Sequence, residues 1–589
     1  VEGARLPASG HGEGVKYYGL LVGACFAAAV VFRLAYLHAD PPWTFTWSQA
    51  LFTDGARAID GARGKLLFGQ WITDMRSPVV LFYPLVNMLA LVIFKIGGIG
   101  LAQANLVGAL PGLAALSSAY LWMRRHEGKV GSLFLLAALT FSYVYIVYSR
   151  VPMVESLLVL MLLVSFYLAL KGRLGLFLSG LVVGLAALMV KMHALHFVPV
   201  VVVYLLIRRR LAGESDFGVF GRLLSFVAGL AVAFFAWLAF VYAVNPEIVA
   251  KYFRSNILIS QKGEYADASV LQVIGRRIGA WIHVGSGRDG FFAKTPVLSI
   301  AGVLGLISVV SGMARRHVTA KPWEVLAAIW LVGLATALSL LSYRPLRYIM
   351  LLIPSLALLA TSLAVRIADG RPLIAKHRPR WFPYAFAVWL GWVLIHLQQD
   401  LIYHMLSGGV TQSQMSLYRF HLSVWPKIII FGGVSVAVTV FFGRRIYSAK
   451  TILRPHARWA VVIVLLSALA LLNTGKFVGF VSDRKYSIIE GAASLDRILS
   501  DGVFLVGDCA TTMSLESDFR TLPAYGDLIR YDEREEFERY PVTHFILRFP
   551  TLYEYLEKNY AGFAQAVAAV RTFTLCGRDA TIVRFEAWP

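Results

Sequence analysis

Two carboxylates and a group of cations stand out in a chain with few charges. Asp54 and Glu155 lie beside apolar stretches, as do Arg57, Arg76, Lys191, Arg344 and Arg347. Only 15% of the 589 residues are charged, whereas a soluble domain carries about a quarter. A carboxylate held near a hydroxyl can take its proton as the hydroxyl attacks. Arginine and lysine match the oxygens of a phosphate and stabilise it as it leaves. Together these types suit transfer from a phosphate to a nucleophile. Each also has a plainer reading. The Asp54–Arg57 stretch fits a solvated amphipathic helix, Glu155 a carboxylate at a helix N-terminus after Pro152, and Lys191 a snorkelling lysine. His193 and His196 add imidazoles near Lys191 at i, i+3 spacing, with no third metal ligand in view.

The elements that must position these groups are membrane helices. The chain is 58% hydrophobic, with a mean hydropathy of +0.65. Fourteen apolar runs cover approximately 17–37, 79–96, 101–123, 130–149, 153–170, 175–191, 194–207, 223–244, 296–314, 323–343, 347–365, 382–399, 425–443 and 457–480. Most approach the roughly 20 residues that cross a bilayer as a helix. The net charge of +22 does not point to nucleic acid, because Lys and Arg fall in short connections and form no basic stripe with interleaved aromatics. Membrane lipids are the expected neighbours.

Six connections are basic: Arg124–Lys129, Lys171–Arg173, Arg208–Arg222, Arg315–Lys321, Arg366–Arg380 and Arg444–Arg458. The positive-inside rule places all six in the cytoplasm. They do so together only if 79–96 does not span and instead lies in or near the outer interface. Thirteen spans then follow, with residues 1–16 as a cytoplasmic tail, 17–480 as the transmembrane domain and 481–589 outside. The first loop, 38–100, and the loop 245–295 are also external. The tail begins at Val1, is rich in Gly and shows no cleavage-site pattern. The same parity places Asp54, Arg76, Glu155, Lys191 and Arg347 together at the outer face.

Residues 481–589 alternate strand-like runs, Val503–Gly507 and His544–Phe549, with helical stretches at 486–500 and 551–570, which predicts a small α/β domain. Cys509 and Cys576 lie in it, and an external location permits a disulfide between them. No zinc-type spacing, Walker motif or dinucleotide fingerprint occurs. The fold class is therefore an all-α polytopic membrane protein with a small external α/β domain. A lipid-phosphate transferase acting outside the cytoplasm fits the charge placement best. A transporter or lipid flippase, a ligase or polymerase using a pyrophosphate donor, and a receptor-like binding protein are the rivals. A transporter fits less well because the charges gather at one face and no paired halves are evident.

The short motifs resemble the GT-C glycosyltransferases, in the branch of protein O-mannosyltransferases and the lipid A aminoarabinose transferase. Asp54-Gly55-Ala56-Arg57 resembles the acidic first-loop motif, with Gly55 where an Asp-Glu pair is usual. Arg76-Ser77-Pro78 is similar to a Lys-Pro-Pro segment. Tyr148-Ser149-Arg150 with Glu155 resembles the second acidic site, Leu188–Lys191 a Leu-Thr-Lys segment, and Arg347-Tyr348 with Pro354 an Arg-Tyr helix. The resemblance implies inverting transfer of a sugar from a polyprenyl-phosphate donor to a lipid, glycan or protein acceptor, in the inner membrane of a bacterium. It makes Asp54 and Glu155 the catalytic pair. Arg76, Lys191 and Arg347 would bind the donor phosphate, with Arg57, Arg344 and Tyr348 as further contacts. It implies no cofactor, and a divalent metal is not indicated.

Overall fold

The computed structural model describes residues 17–42, 45, 50–69, 71, 83–212, 215–244, 294–313, 320–340, 346–370, 455–499, 502–507, 509–523, 542–548, 550–559, 563–575 and 578–585. Helices dominate. They are α1 (Tyr18–Leu34), α2 (Ala50–Phe68), α3 (Pro84–Gly97), α4 (Leu101–Thr140), α5 (Tyr143–Ser149), α6 (Val154–Ala169), α7 (Gly172–Met189), α8 (Phe197–Ala212), α9 (Asp216–Val244), α10 (Pro296–Met313), α11 (Pro322–Leu340), α12 (Ile353–Ala368), α13 (Pro455–Ser482), α14 (Ser487–Ile498) and α15 (Pro550–Asn559). Among the described residues seven helical segments are long and apolar enough to cross a membrane, or eight if the bent pair α5–α6 is one span. The chain is a multi-pass membrane protein. The sequence-based count of thirteen extends to runs 382–399 and 425–443, which lie outside the described residues.

The basic connections collect at one end of the bundle. Helix α4 is two arms divided at Gly128, whose φ of 69° favours a residue without Cβ. Tyr18 reaches both arms, pairing with Tyr120 at 3.1 Å and Ser132 at 2.8 Å. At the other end Arg33 donates to the Leu139 carbonyl and lies beside Gly112. The arms are therefore antiparallel, and Arg124–Lys129 forms their turn next to Tyr18. Lys321 donates to Glu127 in that turn at 2.7 Å. Arg366 pairs with Glu324 at 2.7 Å, close to Lys321. Lys171 bears electrostatically on His126, Arg173 lies against Gly221, and Arg458 lies against Gly370. One residue from each of the six basic connections thus marks the same end.

At the opposite end stand α2, α3 and the C-terminal domain. Helix α3, with 14 residues, is about 21 Å long, which is short of a ~30 Å hydrocarbon layer. It packs on α2, and its buried Asn87 bridges the Ala58 carbonyl at 2.8 Å and the Ala62 N–H at 3.0 Å. Within the bundle, α7 and α9 approach backbone to backbone. A Cβ on Gly180 would strike the Phe226 carbonyl, and one on Gly229 the Phe177 carbonyl. Small residues permit such contact between membrane helices.

The C-terminal domain is built on a five-stranded sheet of order β2-β1-β3-β5-β4. Its strands are β1 (Phe504–Gly507), β2 (Arg520–Pro523), β3 (His544–Leu547), β4 (Val567–Leu575) and β5 (Arg578–Phe585). β1 pairs in parallel with β2 and β3, and β5 pairs antiparallel with β3 and β4. The α/β expectation holds, with one difference. The helical reading of 551–570 ends early, because Val567–Val570 belongs to β4 and pairs with β5 across an irregularity at Ala569/Arg571. Cross-strand pairing overrides the local Ala-rich helix preference. Cys509 is buried; Cys576 lies outside the described residues.

Candidate active site

The corner between α5 and α6 is the centre of the site. The chain bends by 116° between these helices. Arg150 fixes the corner by donating to the Phe32 carbonyl at 2.8 Å and the Ala35 carbonyl at 2.6 Å, which closes the end of α1. Gly108 of α4 lies directly against the Val151 carbonyl. On its other side the corner meets α2, where a Cβ on Gly55 would stand 2.9 Å from Pro152 Cγ. Asp54 is thereby brought beside Glu155, which sits in the first turn of α6.

Lys191 follows α7, just ahead of a 3₁₀ turn over Met192–His196. Its Nζ donates to Glu155 Oε1 at 2.5 Å and lies 4.3 Å from the centre of the Tyr348 ring. Arg347 belongs to a single helical turn, Leu346–Ile349, that precedes α12. Its Nη1 pairs with Asp54 Oδ2, and its Nε lies 3.9 Å from Glu155 Oε1. The Arg347 guanidinium lies 5.2 Å from the Tyr348 ring centre. Two carboxylates and two cations therefore interlock around one phenol ring.

Their exposures separate their roles. The Asp54 side chain is 36% exposed and that of Glu155 is 1% exposed. Asp54 can meet an incoming group, and Thr53 Oγ1 donates to its other oxygen at 3.3 Å. Glu155 is sealed and holds cations in place. Burial lowers the affinity of Lys191 for its proton, but Glu155, then Tyr348, act against burial, and the net shift is upward.

Of the residues singled out in the sequence, Asp54, Glu155, Lys191, Arg347 and Tyr348 come together. Arg57 lies close enough to Tyr83 to bear on it, as do Lys191 and Asp54. Arg76 and Arg344 lie outside the described residues. His193 packs against Tyr348 in a tilted contact, with ring centroids 4.2 Å apart. His196 faces away: Trp330 Nε1 donates to its Nε2 at 3.2 Å, so its proton sits on Nδ1, toward the His193 carbonyl. Among the described residues no group of three His, Cys, Asp or Glu side chains could hold a metal ion. Tyr83 also stands at the site, and His193, an imidazole the sequence places near Lys191, reaches it through Tyr348. Tyr83 has no signal beyond being one aromatic residue among many.

No protein-family model and no curated protein matches the chain. Solved structures do. ArnT from Cupriavidus metallidurans in its apo state is 18% identical, with a TM-score of 0.56 over 96% of this chain and 97% of that one. The same protein bound to undecaprenyl phosphate gives 18% identity and a TM-score of 0.57 over 97% and 98%. This chain shares its fold with ArnT. The match spans both the membrane bundle and the C-terminal domain, so the shared fold includes both. The Archaeoglobus fulgidus oligosaccharyltransferase, in complex with Zn and sulfate, is 10% identical with a TM-score of 0.43, over 95% of this chain and 72% of that one.

Proposed function

We propose that this protein is a membrane glycosyltransferase that moves a sugar from a polyprenyl-phosphate donor to an acceptor on the extracytoplasmic face. The observation that carries this reading is the contact of a reachable carboxylate, Asp54, with a cation, Arg347, in a cluster shared with Lys191 and Glu155. The cluster lies at the end of the bundle opposite the basic connections, which the positive-inside rule assigns to the cytoplasm. That a GT-C protein of like fold binds undecaprenyl phosphate supports the choice of donor.

In this reading an acceptor hydroxyl attacks the anomeric carbon from the face opposite the phosphate. Asp54 takes the hydroxyl proton as the new C–O bond forms. The bond from the anomeric carbon to the phosphate oxygen breaks, and its electron pair leaves with the polyprenyl phosphate. Arg347 and Lys191 stabilise the charge gathering there, with Arg57, Arg76, Arg344 and Tyr348 as further contacts. Glu155 orients the two cations. The apolar groove of about 290 Å³ between α8, α10 and α11, lined by Val200, Val203, Leu306 and Val332, suits part of a prenyl tail. The acceptor is a lipid, glycan or protein hydroxyl, and the location is a bacterial inner membrane with the C-terminal domain outside.

The test is turnover by protein in lipid nanodiscs given polyprenyl-phosphate sugars and hydroxyl acceptors, with release of polyprenyl phosphate as the readout. Absence of both turnover with any donor and binding of polyprenyl phosphate would overturn the reading. Impermeant thiol labelling of Asp496→Cys but not Arg125→Cys in intact cells tests the orientation.

A further inference from the structure

Helix α2 carries two charges that the proposed reaction leaves unused. Asp60 and Arg63 follow Asp54 by six and nine residues, or about 9 and 13.5 Å along the helix. Both are buried, and Arg63 is wholly so. Arg63 Nη2 donates to the Ser517 carbonyl at 2.6 Å and the Phe519 carbonyl at 2.7 Å, while its Nη1 lies 3.6 Å from Asp60. Asp60 accepts from Thr521 Oγ1 at 3.3 Å. Every one of these partners outside α2 belongs to the C-terminal domain.

The same domain grips α2 at both ends. Thr512 Oγ1 donates to the Phe52 carbonyl, and the buried Arg548 guanidinium lies 5.4 Å from the Phe52 ring centre. Arg520 lies 5.1 Å from the Phe68 ring centre. On the membrane side Asn87 holds the middle of the helix through Ala58 and Ala62. An arginine is costly to bury, and Arg63 commits Nη2 to two carbonyls of a distant segment and turns Nη1 to Asp60. Such an arrangement fixes position in a way that an apolar contact does not.

We infer that Arg63 and Asp60 are positioning residues that fasten α2 to the C-terminal domain and so hold Asp54 in place against Arg347. The C-terminal domain is then part of the catalytic apparatus. A base displaced by an ångström loses much of its effect, so a fastening two turns away governs turnover without touching substrate.

The test compares wild type, Arg63→Lys and Arg63→Met as full chains in nanodiscs. Its kinetic arm rests on the proposed function; its second arm, amide hydrogen exchange over residues 50–57, does not. Expected for Arg63→Met are faster exchange over 50–57, a loss of kcat on the order of 10- to 100-fold, and unchanged binding of polyprenyl phosphate. Arg63→Lys retains one donor to a carbonyl and falls between. Unaltered exchange over 50–57 in Arg63→Met overturns the inference, as does unchanged kcat despite faster exchange. Turnover and phosphate binding lost in step in a folded Arg63→Met also overturn it. If Arg63→Met does not fold, Asp60→Asn with Arg63→Lys carries the same comparison. A wild type that turns over no polyprenyl-phosphate sugar removes the proposed function, and the exchange arm still decides the coupling.

Discussion

The guanidinium of Arg347 is ion-paired with the carboxylate of Asp54, so the proposed phosphate holder and the proposed base touch each other. A phosphate that draws on Arg347 also changes the electrostatic surroundings of Asp54. Replacing Asp54 by Asn keeps the shape and removes the proton acceptor. Turnover is expected to fall by about 10²- to 10⁴-fold, while polyprenyl phosphate still binds because Arg347 and Lys191 remain. Turnover and binding assays on the same preparation check this, and undiminished turnover would sink the assignment of Asp54 as base.

Glu155 is expected to matter first for stability. Its carboxylate is sealed against Lys191 at 2.5 Å, with Arg347 Nε at 3.9 Å. Glu155→Gln leaves two cations facing each other around Tyr348 without their shared anion. Breaking a buried pair from one side costs roughly 3–5 kcal/mol. A clear drop in the temperature of irreversible inactivation should follow; an unshifted value would show that the pair contributes little.

Gly55 packs against Pro152 at the α5–α6 corner, a contact that leaves little room for a side chain. A Cβ there would stand 2.9 Å from the proline ring. Gly55→Ala should cost about 1–3 kcal/mol through overpacking and push α2 from the α5–α6 corner, lowering turnover with it. Gly55→Glu should be worse, because its side chain is larger still. Wild-type stability and activity in either variant would argue against the close packing.

Lys191 gives the site a defined alkaline limit. Burial alone would lower its pKa, but Glu155 and then Tyr348 raise it above that of a free lysine. A raised folded-state pKa adds stability that is complete below the unfolded value, about 10.4, and is lost as pH rises through the folded value. Stability should therefore show no loss from Lys191 near neutrality and decline only above about pH 10. Lys191→Gln should lose that alkaline component, and melting curves across pH compare the two.

The sequence exposed this site because charge is rare in it. Asp54, Glu155, Lys191 and Arg347 each interrupt or border an apolar run, and the basic connections supplied an orientation for all four at once. What stayed hidden lacks that contrast. Tyr83 gains meaning only from what it faces. Arg63 was visible as a charge, but its partners are backbone carbonyls 454 and 456 residues away, and no local pattern records them. The break in the run 130–149, between α4 and α5, was likewise unreadable. It follows from packing against α1 and α13, where Asn473 accepts from the Tyr143 N–H at 3.3 Å.

The backbone contact between Gly180 of α7 and Phe226 of α9 belongs to the part of the molecule that water-borne denaturants should weaken least. Helices that meet this way in lipid associate through close dispersion contact, with no water released. The C-terminal sheet instead gathers Phe504, Val506, Phe545, Leu556, Phe563 and Val583 into a core sustained by the hydrophobic effect, which urea weakens. Urea should thus melt the protein in two stages, the sheet first and the bundle later or not at all. Activity should vanish at the first stage, when α2 loses its upper support while most of the helical circular dichroism persists. One cooperative transition for both signals would mean the two halves are energetically a single body.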